Sequence, residues 1–167
     1  VTLVAVDERN YHYRHPLPTA RRLERYALLG LNARQRGLVC SISRLVHFGP
    51  LPADLRRRIL AAARVNARLI AASRPGASLA DLLATAQQAY ADNGFPGEWQ
   101  HHHQGGPTGY EPREYLALPN STDILEEGQA IAWNPTVAGA KMEDTYLVST
   151  QTPELLTATS LWPEEQI

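Results

Sequence analysis

Two helices in the middle of the chain, with strand-like segments on both sides, constrain the fold more than any other feature. Apolar residues recur at helical spacing from about residue 52 to residue 73; Pro52 suits a first turn and the Arg-Pro-Gly sequence at 74–76 ends the pattern. A second helix is predicted to begin at Ser78, whose hydroxyl can cap its first turn, and to run towards Asn93 and Gly94. The predicted core-facing residues are Leu55, Ile59, Ala62, Ala63, Leu69 and Ile70, then Leu79, Leu82, Leu83, Ala86 and Tyr90.

The remainder of the chain is typical of strands and loops. Aliphatic segments bounded by Gly, Pro, Asn or polar residues predict strands at 25–31, 38–48, 130–134 and 145–149. Residues 111–123, with their prolines, asparagine and serine, predict a loop that could cover a site.

Composition places the chain among ordinary globular domains. Its 167 residues, 44% hydrophobic, are enough for one core. A net charge of -1 gives no argument for a nucleic-acid partner, and the three arginines at 56–58 fit a solvated helix face. No apolar run approaches the roughly 20 residues needed to span a bilayer, so we expect a cytoplasmic protein without a membrane partner. Cys40, the only cysteine, is expected to be a small buried strand residue.

Three motifs follow one another between residues 101 and 150. They are His-Gln-Gly-Gly at 103–106, followed by Tyr110 and Glu111, then Ile-Ala-Trp-Asn-Pro at 131–135, then Gly-Ala-Lys-Met-Glu-Asp at 139–144. Their order resembles the histidine strand, the Thr-Glu-Pro-Gly strand and the Gly-Val-Arg-Ile-Glu-Asp signature of the pita-bread superfamily, which includes the M24 peptidases, creatinase, and the Xaa-Pro and methionine aminopeptidases.

The first half of the chain carries the same resemblance. Asn10 and His-Pro-Leu-Pro at 15–18 resemble the loop that presents a histidine to the substrate, and residues 30–45 resemble the two strands that carry aspartates in the family. The resemblance implies an α+β fold, a curved antiparallel sheet with helices packed on one face, over residues 1–167. It also implies that the N-terminal helices of the usual domain are missing from this chain, so we expect a C-terminal portion of a longer protein. Because those helices would cover apolar sheet, we expect a homo-dimer or association with the missing segment.

The resemblance implies a metal-ligand set that is mostly absent. Gly30 and Ser41 stand at the positions of the bridging aspartates and Asn134 at that of the first metal glutamate, which leaves only His103 and Glu143. A dinuclear Mn, Co or Zn centre needs several anionic oxygen donors to offset its charge. We therefore expect a metal-free member of the family, without a cofactor.

The candidate catalytic residues are His15, His103 and Glu143. His15 matches the substrate-facing histidine, which is the catalytic acid/base in creatinase, and an imidazole is suited to proton transfer near neutral pH. Glu143, alone or with His103, would orient a guanidinium, an amine or water. The alternative is an ion pair between Glu143 and Lys141, which share a face of a strand. The predicted substrate-binding residues are Asn134, Lys141, Tyr110 and Arg113.

His101, His102 and His103 are expected to lie on a strand. Alternation then directs His101 and His103 to one side and His102 to the other, so the three cannot bind one ion without a bulge.

Three functions remain open. The first is a metal-independent hydrolase or lyase that acts on a small amino-acid-like or amidino substrate, and the polar residues left in the site favour it. The second is a non-catalytic domain that binds a peptide or a protein. The third is a metallo-aminopeptidase that has recruited other ligands.

Overall fold

The structure, a computed structural model, describes residues 2–159 and residue 162. The order of the strands and α-helices is β1 (Thr2–Val6), α1 (Arg9–His12), β2 (Tyr26–Gln35), β3 (Leu38–His47), α2 (Ala53–Ala72), α3 (Leu79–Asp92), β4 (Gly105–Pro107), β5 (Ala130–Trp133), β6 (Thr136–Val137), β7 (Ala140–Lys141), β8 (Asp144–Leu147) and β9 (Glu154–Leu155). A 3₁₀ helix (Glu98–His101) lies between α3 and β4.

The strands form antiparallel sheets that meet at the centre of the molecule. One sheet has the order β1-β2-β3, another has the order β4-β5-β8-β9, and β6 pairs with β7. Strand β3 joins the second sheet, because the Ser43 amide donates to the Glu143 carbonyl at 2.9 Å and the Ser41 amide donates to Thr145 Oγ1 at 2.9 Å. Antiparallel sheets with two central helices are the α+β arrangement that the sequence predicts.

The predicted helices are confirmed as α2 and α3. They pack on each other, and α2 also contacts β5, β6 and β7. The Ser78 hydroxyl accepts a hydrogen bond from the Asp81 amide, the cap that the sequence predicts for α3. Between the sheet and α2 lies the fully buried Trp133, whose indole N–H donates to Ser73 Oγ at 2.9 Å. None of the described helices combines the length and the apolar character that a membrane crossing requires.

The expected burial of Cys40 is wrong. Cys40 is exposed, whereas its neighbours Val39 and Ser41 on β3 are buried. Side chains alternate across a strand, so burying Val39 and Ser41 turns Cys40 to the opposite face.

A tight turn after β1 fixes the first loop of the chain. Asp7 has a φ of 53°, and its carboxylate accepts hydrogen bonds from the amides of Glu24, Arg25 and Tyr26 at 3.0, 2.9 and 3.0 Å. Further along the loop, the Pro16 carbonyl accepts from the Val4 amide at 2.8 Å. These bonds hold the segment that carries His15 against β1.

Candidate functional site

Six of the seven predicted site residues line one cavity of about 70 Å³ between the two sheets. They are His15, His103, Arg113, Asn134, Lys141 and Glu143. Gly30, which adds no side chain, also lines the cavity. Tyr110 lies elsewhere: its ring is beside Gly37 and it is 68% exposed. The residues come from separate loops and strands, so the cavity depends on the whole tertiary fold.

Glu143 is the electrostatic centre of the cavity and its only acidic lining residue among those that the structure describes. Its Oε1 accepts from the Arg113 guanidinium at 2.8 Å, and its Oε2 lies 2.9 Å from Lys141 Nζ. Oε2 also accepts from the Ser43 hydroxyl at 2.6 Å. Burial alone would raise the pKa of the Glu143 carboxyl, but the two cations and Ser43 outweigh it and lower that pKa. Glu143 is therefore a buried carboxylate with donors from its own chain on both oxygens.

Arg113 connects the covering loop to β3. Besides its bond to Glu143, its guanidinium donates to Ser41 Oγ at 2.9 Å. The loop predicted over residues 111–123 contains no described helix or strand, and it places Pro112 and Arg113 at the cavity wall. The sequence predicts that this loop could cover a site, and its position at the cavity wall is consistent with that prediction.

The expected strand through His101 is wrong. Residues 98–101 form the 3₁₀ helix, and the chain becomes extended only at His102, with φ of -160° and ψ of 142°. His101 is therefore exposed on the helix, while His102 and His103 both turn towards His15. Strand alternation does not apply across a helix end, which is why the expected separation of His102 from His103 fails.

The three imidazoles form a compact cluster. His102 Nε2 lies 3.0 Å from His15 Nε2, which is hydrogen-bonding distance, and the rings of His102 and His103 are 4.6 Å apart. One ligand nitrogen from each of the three histidines lies within 4.8 Å of the others, close enough for one metal ion. His101 is not part of this group, so the expectation that His101, His102 and His103 do not all bind one ion stands, while His15 supplies the third nitrogen instead.

Buried polar contacts hold this histidine cluster in place. Gln104 donates to the His102 carbonyl at 2.6 Å and accepts from the Tyr90 hydroxyl at 2.9 Å. Next in sequence, Gly105 has a φ of +114°, and a Cβ there would lie 2.1 Å from the Ala132 carbonyl oxygen. The backbone of Ala132 therefore approaches Gly105 closely, and a glycine is required at this position.

An ion pair supports the cluster from the other side. Arg14, beside His15 in the chain, bonds to Glu98 at 2.6 Å, and Glu98 also accepts from the Ala138 amide at 3.1 Å. Glu98 thus ties the His15 loop to the 3₁₀ helix that precedes His102.

The histidines are neutral at physiological pH. Burial, reinforced by the charge of Lys141, lowers the pKa of His102 to about 2. Burial and the charge of Arg113 lower the pKa of His103 to about 4. Burial and Lys141 also lower the pKa of His15. The cavity therefore presents neutral imidazoles beside a Lys-Glu-Arg cluster that carries one excess positive charge.

We expect acid to destabilise the protein through His102. The His102 imidazole has a pKa near 6.5 in the unfolded chain and about 2 in the folded protein. Between these two pH values the unfolded state binds more protons, so the stability of the folded state falls as the pH drops below about 6.5. The loss is at most about 1.4 kcal/mol for each pH unit. Urea unfolding at pH 7.5 and 5.0 measures it. His102→Gln should reduce this dependence, with His103 and His15 supplying the remainder, while the exposed-site control His101→Gln should leave it unchanged. An equal pH dependence in both variants would rule out a contribution of His102.

Two residues of the cluster were missed as site residues in the sequence. Ser43 and His102 lack a local signal, because Ser43 is one of several serines and His102 was assigned to the wrong face. For Lys141 the composition offers a signal, because it is the only lysine among the 16 lysine and arginine residues of the chain. A single lysine, buried at the end of β7, indicates a specific requirement.

Comparison with known protein families places these features in context. A model of metallopeptidase family M24 matches residues 2–150. Among curated proteins, an uncharacterized peptidase of Staphylococcus haemolyticus is 30% identical over 153 residues, which cover 86% of this chain and 43% of that protein. The chain therefore spans less than half the length of this relative.

Solved structures show the same fold. The prolidase of Pyrococcus horikoshii OT3 superposes with a TM-score of 0.85 at 21% identity, covering 95% of this chain and 48% of that one. The Xaa-Pro dipeptidase of Bacillus anthracis superposes with a TM-score of 0.86 at 20% identity, covering 99% and 48%. At these identities the similarity establishes the pita-bread fold, and the residues of the cavity have to be assessed by their own chemistry.

Proposed function

The chain belongs to metallopeptidase family M24, and we propose that its domain acts without the metal centre that the family name implies. The proposed activity is that of a hydrolase or lyase on a small amino-acid-like substrate. The observation that carries this proposal is the pairing of Glu143 with both Lys141 and Arg113 inside the cavity.

The cavity does not fit a dinuclear metal centre. Such a centre requires several anionic oxygen ligands. Among the described lining residues, Glu143 supplies the only carboxylate, and both of its oxygens already accept bonds from cations. Asn134 offers a neutral amide, and Gly30 offers no side-chain donor. Two fixed positive charges next to Glu143 would also repel divalent ions. In the proposed site, Lys141 and Arg113 therefore take over the electrostatic role of the metal ions.

In the proposed mechanism, neutral histidines move protons and the cations stabilise negative charge. His15 and His103 are both unprotonated at neutral pH, and either can accept a proton from a bound substrate or water. Because the Nε2 atoms of His15 and His102 share a hydrogen bond, His102 orients the His15 ring. Lys141 and Arg113 would stabilise charge that develops on the substrate, as fixed positive groups do in a site shielded from water.

A second candidate is a non-catalytic domain that binds a peptide or protein. It accounts for the loss of carboxylates equally well. The buried polar cluster supports catalysis or small-ligand binding instead, because a discarded site has no physical reason to keep a charged Lys-Glu-Arg group, which is costly to bury. The third candidate, a metallo-aminopeptidase, requires ions at the cluster of three histidines or beside Glu143.

The test is metal content together with chelator sensitivity. After expression with added Mn, Co and Zn, we expect elemental analysis to find no stoichiometric metal. Turnover, screened on Xaa-Pro dipeptides and on N-carbamoyl and amidino amino acids, should be unchanged by EDTA, because no step needs an ion.

Two results would contradict the proposal. Two equivalents of metal, with activity lost to EDTA and restored by Mn or Co, would identify a metallopeptidase. One equivalent that disappears in His102→Ala would place a single ion on the three histidines. Binding of a screened compound without any turnover would favour the non-catalytic candidate.

A further inference from the structure

A basic groove lies between helix α2 and the end of α3, and it shares no lining residue with the cavity of the proposed function. Its volume is about 360 Å³, within the range of about 300–1,000 Å³ that is typical of small-molecule sites. The lining includes three arginines of α2, Arg56, Arg57 and Arg64, and one carboxylate, that of Asp92. The groove is therefore large enough for a small ligand and is lined mainly by cations.

The positive charge belongs to α2 itself. This helix contains five arginines and one acidic residue, a net charge of +4, in a chain whose total net charge is -1. Arg64 and Arg68 are four residues apart, a spacing at which like charges repel each other and destabilise a helix. An anion bound along the helix would relieve this repulsion.

The carboxylate of Asp54 does not balance the arginines that it bonds. It contacts Arg57 at 3.0 Å and Arg58 at 2.7 Å, so one negative charge is shared by two guanidinium groups. The Arg57 guanidinium also lies 4.5 Å from the centre of the Phe95 ring, a cation-π contact that holds it in place without neutralising it.

Arg64 keeps its charge in a similar way. It donates to the neutral amide oxygen of Asn93 at 3.1 Å, while the carboxylate of Asp92 bonds to Arg68. Together with Arg57, Arg58 and Asp54, these residues comprise four arginines and two aspartates, which leaves an excess of two positive charges. Because Arg57 and Arg64 are both positioned by contacts within the protein, a ligand that binds them orders fewer side chains.

The spacing of Arg57 and Arg64 defines the shape of the anion. They are seven residues apart in α2, which is about two helical turns or roughly 10 Å along the helix axis. A ligand that contacts both needs negative charge at more than one point along its length. A single sulfate or phosphate lacks this extent.

We infer that the groove binds a linear chain of phosphate groups, free or as part of a nucleotide. A guanidinium group matches the oxygens of a phosphate with two parallel hydrogen bonds, and a phosphate chain repeats this anion along a line. Leu60 lines the same groove and offers an apolar contact for the base or sugar of a nucleotide. This binding site is separate from the proposed function and requires no turnover.

Isothermal titration calorimetry on the full chain at low salt tests the site, with tripolyphosphate as the probe. We expect one saturable site per chain. Sulfate should bind at least about tenfold more weakly, because it loses the hydrogen bond to one of the two arginines. ATP distinguishes the two sources of the phosphate chain: tighter binding than that of tripolyphosphate identifies a nucleotide, and equal or weaker binding identifies a free chain.

Arg57→Gln and Arg64→Gln each remove one charge from the groove. Each should weaken the binding of tripolyphosphate by about 10- to 100-fold, the effect of losing one hydrogen bond to a charged group. Arg34→Gln is the matched control, because Arg34 is an exposed arginine of β2 that pairs with Glu111 and does not line the groove. It should keep the affinity, and all three variants should unfold at similar urea concentrations.

The absence of saturable tripolyphosphate binding would overturn the inference. So would equal losses of affinity in Arg34→Gln and Arg64→Gln, since these would indicate attraction by the overall surface charge. Triglutamate that binds as tightly as tripolyphosphate would assign the groove to acidic peptides instead. These outcomes leave the proposed function unaffected, because neither Arg57 nor Arg64 lines the cavity that contains Glu143.

Discussion

Glu143→Gln should destabilise the protein by about 3–5 kcal/mol, because it leaves Lys141 and Arg113 buried next to each other without their shared carboxylate. Glutamine has nearly the same size, so the loss reports charge and not packing. The Ser43 hydroxyl would keep an acceptor in the amide oxygen, but the two cations would not keep a counter-charge. Urea unfolding at pH 7.5 measures the free energy.

A double-mutant cycle identifies the source of this loss. Lys141→Met leaves Glu143 and Arg113 as a balanced pair, so it should cost less than Glu143→Gln. The double variant should be more stable than Glu143→Gln alone, since one unpaired cation is removed. Glu111→Gln is the matched control, because Glu111 pairs with Arg34 at 3.7 Å on the surface, where such pairs contribute about 0–1 kcal/mol. A stable Glu143→Gln variant would mean that the cations do not depend on this carboxylate.

Helices α2 and α3 could be predicted from sequence because their signals are local. Leu55, Ile59 and Leu69 recur on one face of α2, and the Ser78 hydroxyl lies three residues from the amide that it caps. Both signals act within a few turns of chain. Strands β2, β3, β5 and β8 were predicted for the same reason, but β1 was not. Strands β6, β7 and β9, with two residues each, are too short for an alternating pattern.

The cavity could be predicted only in part, because its contacts are long-range. Lys141 and Glu143 were predicted to share a strand face, with an ion pair between them as the alternative to substrate binding; they do pair, although Lys141 ends β7 and Glu143 lies just before β8. Arg113 is 30 residues from Glu143, and its contact with Glu143 depends on how the covering loop lies over β3. The direction of His102 depends on one residue, the point where the 3₁₀ helix ends. No periodic pattern encodes that point, so sequence reasoning placed His102 on the wrong face.

His15→Ala and His103→Ala should each lower the turnover of a substrate found in the screen by about 10²- to 10⁴-fold, the usual loss when a general acid or base is removed. Both imidazoles line the cavity, and both are neutral at pH 7 because burial and nearby cations lower their pKa values. His103, with a pKa of about 4, would remain a base well into the acid range. If its protonation limits catalysis, the acid limb of kcat/KM should lie closer to pH 4 than to pH 6.5.

His101→Ala is the matched control for these variants, because His101 is adjacent in sequence but exposed on the 3₁₀ helix and outside the cavity lining. It should keep full turnover, and all three variants should unfold at similar urea concentrations. Equal losses in His101→Ala and His103→Ala would indicate a structural effect of the segment, since His101 has no access to a substrate in the cavity. Full turnover in His15→Ala and His103→Ala together would remove both proton-transfer groups from the mechanism, and Lys141 would then be the next group to test.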